Sequence, residues 1–356
     1  MARLGIVGFT NTGKTTLFNA LTGLEAPAAS HPFSTVEPNL GVARISDPLL
    51  DQAAELEKSA KVVPATLDLL DLPAMVRAGE GSGTALGRLR EMDALIVMIR
   101  TFEDEAVPFE RATGDPVGQA EELLLEMAVA DHDILVRRAD RLSREASADP
   151  GKRPAAAAIG ETADHLATGQ PLRNRTWDPE TIQAMRDSAP LTMKPAVWVI
   201  NHGETVVGVE ELAAAVQRVV PAGDVVVAVS AQIEEEASRL AAEDRAELSE
   251  GLGLGEGALA RIVRAAYQSL GLISFYTVGP KESRAWTVRA GALAPEAAGR
   301  IHSDLERGFI RAEVATMDDV IVSGGWDEAK RQGRIRVEGK SYVVQPADVL
   351  VVRFSV

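Results

Sequence analysis

Gly8-Phe9-Thr10-Asn11-Thr12-Gly13-Lys14-Thr15 decides how the chain is read, because it fits G-x-x-x-x-G-K-[ST]. The apolar run from Leu4 to Val7 precedes it and reads as a strand. Thr16-Leu17-Phe18-Asn19-Ala20-Leu21 follows and reads as a helix. In that strand–loop–helix setting Gly8 and Gly13 let the backbone bend, so that successive N–H groups converge on phosphate oxygens. The helix adds its positive N-terminal end. Lys14 is placed to reach β- and γ-phosphates and the Thr15 hydroxyl to hold Mg²⁺, with Asn11, Thr12, Gly13 and Thr16 completing the cradle. The alternative is a Gly/Thr-rich turn that fits the pattern without a ligand.

Outward from this loop, three further segments fall where a nucleotide site needs them. Ser30 to Gly41 is too rich in Pro, Ser and Asn for a helix or a central strand. It is the expected first switch loop, with Thr35 the candidate to approach Mg²⁺ and the γ-phosphate. Thr66 to Asp71 reads as a buried strand ending in an acid suited to holding Mg²⁺ through water. Where GTPase-type proteins continue Asp-x-x-Gly and then a catalytic Gln, this chain has Asp71-Leu72-Pro73-Ala74 and Met75. A thioether cannot orient water. Further on, Ala196 to Ile200 delivers Asn201-His202-Gly203-Glu204 at the place of a base-reading loop. The guanine-reading pattern is N-K-x-D; Glu204 in place of the Asp unsettles guanine selection. Val225 to Val229 leads into Ser230-Ala231-Gln232, whose backbone is expected to line the base pocket.

The bulk properties narrow the setting. A chain of 356 residues that is 46% hydrophobic can hold two or three domains with real cores. No run is long enough to span a membrane, and Met1-Ala2-Arg3 does not open a signal peptide. Cysteine is absent, which excludes disulfides and thiolate metal sites and makes a cytoplasmic setting the simplest. A net charge of −15 argues against a protein that coats nucleic acid uniformly. Residues 273–356, however, carry 12 Lys and Arg against 11 Asp and Glu, whereas the remainder carries 25 against 41. A near-neutral, Arg-studded end on an acidic body suits local RNA contact, and equally suits ordinary variation between domains.

Between about Gly118 and Asp187 helical periodicity with abundant charge replaces the strand pattern. Asp149-Pro150-Gly151 interrupts it, which predicts an antiparallel helical hairpin inserted into the α/β domain. Its role is open between a partner-binding arm and a structural insert. From Ile273 onward short alternating runs, at Trp286-Thr287-Val288, Ile335-Arg336-Val337, Tyr342-Val343-Val344 and Val349 to Phe354, surround a helix-like stretch from Ala297 to Glu306. This predicts a small α+β module.

Taken together, the chain resembles the YchF-type Obg-like ATPases. The phosphate loop with Asn11, the string Pro32 to Val42, Asn201-x-x-Glu204 and Ser230 to Glu234 carry the resemblance. So do Arg284 to Val288, Ala297 to Asp304 and Glu306 to Val314. The resemblance implies a Ras-like G domain over residues 1–112 and 190–272, an inserted coiled-coil helical hairpin over 113–189, and a C-terminal, ubiquitin-like α+β TGS domain over 273–356. It implies ATP rather than GTP as nucleotide, Mg²⁺, a K⁺ ion near Asn11, slow hydrolysis, and ribosome or ribosomal RNA association through the helical and TGS domains of a monomer. One segment and two single positions depart from the family pattern: Asp71 to Met75, Phe109 where a histidine is common, and His202 where an apolar residue is common. An interaction protein gated by nucleotide with little turnover, or a GTP-selective switch, are the alternatives.

Overall fold

The computed structural model describes residues 2–26, 38–72, 83–104, 109, 115–203, 208–240 and 257–355. The chain divides into two compact units, Met1–Val42 with Asp68–Ala266, and Ala43–Leu67 with Tyr267–Val356.

The first unit is built on the six-stranded sheet β2-β4-β1-β5-β6-β7. Its strands are β1 (Arg3–Gly8), β2 (Asn39–Arg44), β4 (Thr66–Asp71), β5 (Ala94–Arg100), β6 (Ala196–Asn201) and β7 (Val225–Val229). From β4 to β7 all neighbours run parallel. Every residue of β5 and β6 is buried, as expected for apolar runs covered on both faces. Register then does the functional work. Ile6 lies opposite Asp71, Gly8 opposite Met98 and Arg100 opposite Asn201. The phosphate loop, Asp71, Arg100 and Asn201 therefore leave one carboxyl-terminal edge of the sheet, where open α/β folds bind ligands. Helices α1 (Lys14–Thr22), α3 (Gly83–Arg90), α7 (Val209–Gln217), α8 (Ala231–Ser238) and the start of α9 (Ala258–Ser269) accompany the sheet.

The expected helical hairpin is present as α4 (Pro116–Glu145) and α5 (Arg153–Ala167), followed by the short α6 (Pro179–Met185). Asp115 caps α4 by accepting from the Val117 and Gly118 N–H groups, and Pro116 occupies the first turn, where its missing N–H is harmless. The break at Asp149-Pro150-Gly151 is a single 3₁₀ turn. Ala128, Leu135, Ile159, Ala163, Leu166 and Trp177 fill a core between the helices. Asp131, fully buried on α4, accepts from Arg90 Nη1 at 2.6 Å, from the Leu191 and Thr192 N–H groups, and from the Thr192 hydroxyl. Replacing Asp131 with Ala removes the counter-charge of the part-buried Arg90, which keeps only backbone carbonyl acceptors, and leaves two buried N–H groups unpaired. We expect Asp131→Ala to cost about 3–5 kcal/mol, read as a shift in the chemical denaturation midpoint; an unchanged midpoint refutes the assignment.

The second unit has the sheet β11-β10-β12-β8-β9-β3. Its strands are β3 (Val62–Val63), β8 (Leu272–Thr277), β9 (Ser283–Arg289), β10 (Phe309–Thr316), β11 (Arg336–Glu338) and β12 (Asp348–Phe354). One core joins Leu50 and Ala53 of α2 (Pro48–Glu57) to Tyr276, Ala285, Met317, Val320 and Trp326. A second joins Phe275, Val288 and Leu350 to Ala297 and Ala298 of α10 (Ala294–Ile301). Helices α11 (Ser303–Arg307), α12 (Met317–Ser323) and α13 (Trp326–Arg331) complete it.

Three details differ from expectation. Residues 43–67 sit in this unit rather than with the nucleotide domain. β3 pairs with β9 at Val62 and Val63, and Asp47 caps α2 while accepting from the Tyr276 hydroxyl at 2.7 Å. The predicted helix over Ala297 to Glu306 is two helices, because His302 is fully extended at φ −163°. Tyr342-Val343-Val344 forms one isolated bridge, Val343 to Leu293, and no strand. Its long-range backbone bonds are confined to the residues around Leu293, with the Ala294 N–H donating to the Tyr342 carbonyl and the Val344 N–H to the Ala292 carbonyl, while the Tyr342 hydroxyl donates to Asp348 at 2.7 Å. No helix among the described residues is long and apolar enough to cross a membrane.

Candidate nucleotide site

The loop between β1 and α1 has the shape its glycines permit. Gly13 adopts φ +89° and Asn11 φ +59°, both left-handed. A Cβ on Gly13 would stand 2.2 Å from Asn201 Nδ2, and one on Gly8 would stand 2.7 Å from the Met98 carbonyl oxygen. Neither position has room for a side chain, and at Gly13 the dihedral forbids one as well. Gly13→Ala should therefore abolish detectable nucleotide binding and lower the melting temperature. A variant titrating like wild type would show that the loop is not the cradle.

Lys14 opens α1 and is 9% exposed. Its ammonium donates to the Phe9 carbonyl at 2.8 Å, so the side chain lies back along the loop. Burial pulls its pKa down to about 8, opposed by the charge of Asp71. The Thr12 hydroxyl donates to the same Phe9 carbonyl at 3.1 Å. Thr15 donates to Asp71 Oδ2 at 2.7 Å, and Asn39 Nδ2 donates to that oxygen at 3.2 Å. Asp71 is itself buried. Thr15 and Asp71 together offer only hard oxygen donors, the set that suits Mg²⁺. The glycine-lined cradle and this donor pair fit a nucleotide with its metal. Thr16 is half-buried in the first turn of α1.

On the base side, Asn201 is buried at the end of β6 and clamps two loops. Its Nδ2 donates to the Thr12 carbonyl at 3.0 Å, and its Oδ1 accepts from the Ala231 N–H at 3.0 Å. His202 is half-buried, with Nδ1 2.7 Å from the Gly203 carbonyl. Ser230 and Ala231 are buried beside Asn201 at the start of α8. Gln232 is exposed, its amide donating to Glu236. Thus Asn11, Thr12, Gly13, Lys14, Thr15, Asp71, Asn201, Ser230 and Ala231 meet along one sheet edge. Thr35, Met75 and Glu204 lie outside the described residues.

Sequence reasoning missed Arg100 and Asn39. Arg100 is 4% exposed and its Nη1 donates to the Asn11 carbonyl at 3.1 Å. Burial lowers its pKa against the pull of Asp104. The available signal was an arginine closing the apolar run Ala94 to Ile99, at the same strand end as Asn201. Asn39 stood inside a quoted string but had no role until its amide was seen on Asp71.

A glycine-lined loop between a parallel strand and a helix, with Lys, Thr and a buried Asp around it, defines a P-loop nucleoside triphosphatase. Residues 3–132 match the profile of a family described as 50S ribosome-binding GTPase. Residues 272–355 match that of the YchF GTPase C-terminal region, described as a protein of unknown function. The ribosome-binding ATPase YchF of Haemophilus influenzae is 38% identical over 366 residues, spanning 99% of both chains. That of Bacillus subtilis is 36% identical over 361 residues, again 99% of both. Obg-like ATPase 1 of Pongo abelii is 30% identical, over 99% of this chain and 92% of its own length. The solved YchF GTPase of Schizosaccharomyces pombe superposes with a TM-score of 0.84 at 26% identity, covering 99% of this chain and 97% of that one. The chain belongs to the YchF family of Obg-like ATPases.

Proposed function

We propose that this chain binds ATP with Mg²⁺, hydrolyses it slowly, and uses its nucleotide state to regulate association with the ribosome. The observation that carries the reading is the Thr15–Asp71 pair, 2.7 Å apart, beside the buried ammonium of Lys14 in a loop with no room for side chains at either glycine. Loop N–H groups would hold the phosphates and Lys14 their charge. Thr15 and Asp71 would hold Mg²⁺, which when bound neutralises charge developing on the phosphates. Thr35 would report the γ-phosphate. Asn201 frames the base pocket, and Glu204 in place of the guanine-reading Asp supports adenine over guanine. Met75 supplies no group that orients water, so turnover rests on positioning and on cation charge, with Asn11 the residue to hold K⁺.

The names of the relatives support ribosome association. In this chain the contacts would come from the helical arm and from a TGS-type domain at 273–356, through Arg284, Arg289, Arg300, Arg307 and Arg311. The protein would act as a cytoplasmic monomer. Titration with fluorescent ATP and GTP analogues, with Mg²⁺ and with Na⁺ or K⁺, tests the core of the reading. Preferred ATP with K⁺-stimulated hydrolysis supports it, and preferred GTP overturns the nucleotide assignment. Ribosome cosedimentation should weaken steeply with salt if the arginines meet phosphates; salt-insensitive binding would point to a protein surface. The altered segment Asp71 to Met75 favours a second reading, a nucleotide-gated binder without useful turnover. Single-turnover hydrolysis that leaves bound ATP intact would select it.

A further inference from the structure

Arg100 closes β5 opposite Asn201, and its guanidinium is engaged on three sides. Nη1 donates to the Asn11 carbonyl at 3.1 Å and Nε to the Phe102 carbonyl at 3.0 Å. The cation also lies 4.1 Å from the centroid of the Phe102 ring and 5.4 Å from that of Phe109. Asn11 is the phosphate-loop residue held at φ +59°, a conformation that disfavours most side chains. The Arg100 bond fixes the carbonyl of that left-handed unit. Fork geometry and ring stacking fix the guanidinium in turn, which a lysine would not reproduce.

The backbone of Arg100 is occupied from the other direction. Its N–H donates to Gln119 Oε1 at 3.0 Å, and its carbonyl accepts from Gln119 Nε2 at 2.7 Å. Gln119 is fully buried and sits in the opening turns of α4, the long helix of the arm. One amide side chain thus satisfies both backbone groups of the residue that holds the phosphate loop. Leu123, Leu124 and Met127, on the following turns of α4, pack with Val7, Val97 and Ile99 of the central strands and with Phe9 of the phosphate loop. A shift of the loop at Asn11 has a short, fully bonded route into the arm, because interiors this dense transmit displacement rather than absorb it.

We infer that Arg100 is a positioning residue for the phosphate loop, and that Gln119 joins it to the arm so that nucleotide binding stiffens the first turns of α4. The inference rests on the nucleotide reading above. A merely structural pair would hold α4 on the sheet without responding to the ligand.

The test uses the full chain with a fluorescent ATP analogue and Mg²⁺ as probe. Arg100→Met should weaken affinity about ten- to hundredfold, the loss expected for a charge-assisted bond. Arg100→Lys should recover part of it, since an ammonium can still donate to the Asn11 carbonyl. In wild type the analogue should slow amide hydrogen exchange both in α1 and over residues 116–127 of α4. In Gln119→Leu the protection of α1 should persist while that of α4 disappears. Arg100→Met affinity within about twofold of wild type, or equal α4 protection in Gln119→Leu, overturns the inference. If Arg100→Met does not fold, Arg100→Lys decides, since wild-type affinity there refutes a need for the fork. Wild-type protein that binds neither ATP nor GTP removes the nucleotide reading itself, an outcome distinct from normal binding with silent variants.

Discussion

Replacing Lys14 with Met is expected to raise the melting temperature of the nucleotide-free protein while removing its affinity for ATP. The ammonium is buried, with the Phe9 carbonyl as acceptor and Asp71 as the compensating charge, and its pKa falls from 10.5 to about 8. That displacement corresponds to a cost on the order of 3 kcal/mol for carrying the charge in the folded state, at about 1.4 kcal/mol per unit. Met keeps the length of the side chain without the charge; allowing for the donor lost to Phe9, a gain of about 1–2 kcal/mol should remain. The sign against pH follows. Below pH 8 the amine is protonated whether folded or unfolded, and the full penalty applies. As pH rises from 8 towards 10.5 the folded protein sheds the proton first, so the penalty fades and the gap between wild type and Lys14→Met should close. Thermal melts at pH 7.5 and 9.5 check this; a wild type more stable at both would show that the buried charge is favourable.

The same group predicts how binding depends on pH. Phosphates beside the ammonium raise its pKa, so nucleotide binding above pH 8 must take up a proton. Affinity should be level just below pH 8 and fall by up to about tenfold per pH unit above it. Calorimetry in buffers of different ionisation enthalpy would reveal the uptake directly. Binding heats independent of buffer at pH 9 would contradict a lysine poised near 8.

Replacing Asn201 with Ala is the second large expected effect. Its amide connects three segments, since the Thr12 carbonyl, the Ala231 N–H and the space facing Gly13 all depend on it. Truncation leaves a buried carbonyl and a buried N–H unpaired, at about 1–3 kcal/mol each. Melting temperature and nucleotide affinity should therefore fall together, affinity by about tenfold or more. Asn201→Asp should be worse despite its equal size, because a carboxylate would face the Thr12 carbonyl. A variant with lowered affinity and unchanged stability would confine Asn201 to ligand contact.

The phosphate loop and the buried strands were legible because each is specified locally. Gly8, Gly13 and Lys14 are needed by one turn of backbone, and Ala94 to Ile99 is apolar over a full strand. The ends of strands were harder to read. Arg100 looks like a charge leaving the core, and only the register of β5 against β6 shows that it is inside. Gln119 and Asp131 break the apolar face of α4, and their purpose lies in partners 19 and 60 residues away. Asn39 needed Asp71 to acquire a meaning. The allegiance of residues 43–67 was invisible for the same reason, because nothing near Leu50 in the chain says that it packs on Tyr276. The Tyr342 to Val344 run had the composition of a strand, but its backbone finds long-range partners only at Ala292 to Ala294, too few for more than one bridge, and strand propensity alone does not supply them.

The composition of the second unit has a consequence for synthesis. β3 pairs with β9 through Val62–Ser283 and Val63–Arg284, and Leu50 and Ala53 find most of their core among residues beyond 275. On a chain emerging from its N-terminus, α2 and β3 are made early and lack most of their partners until the last quarter has been translated. Closing a loop of that length is slow, and apolar faces wait exposed meanwhile. The smaller unit therefore matures only after its last strand is made, and residues 43–67 are a segment that gains from shielding during translation.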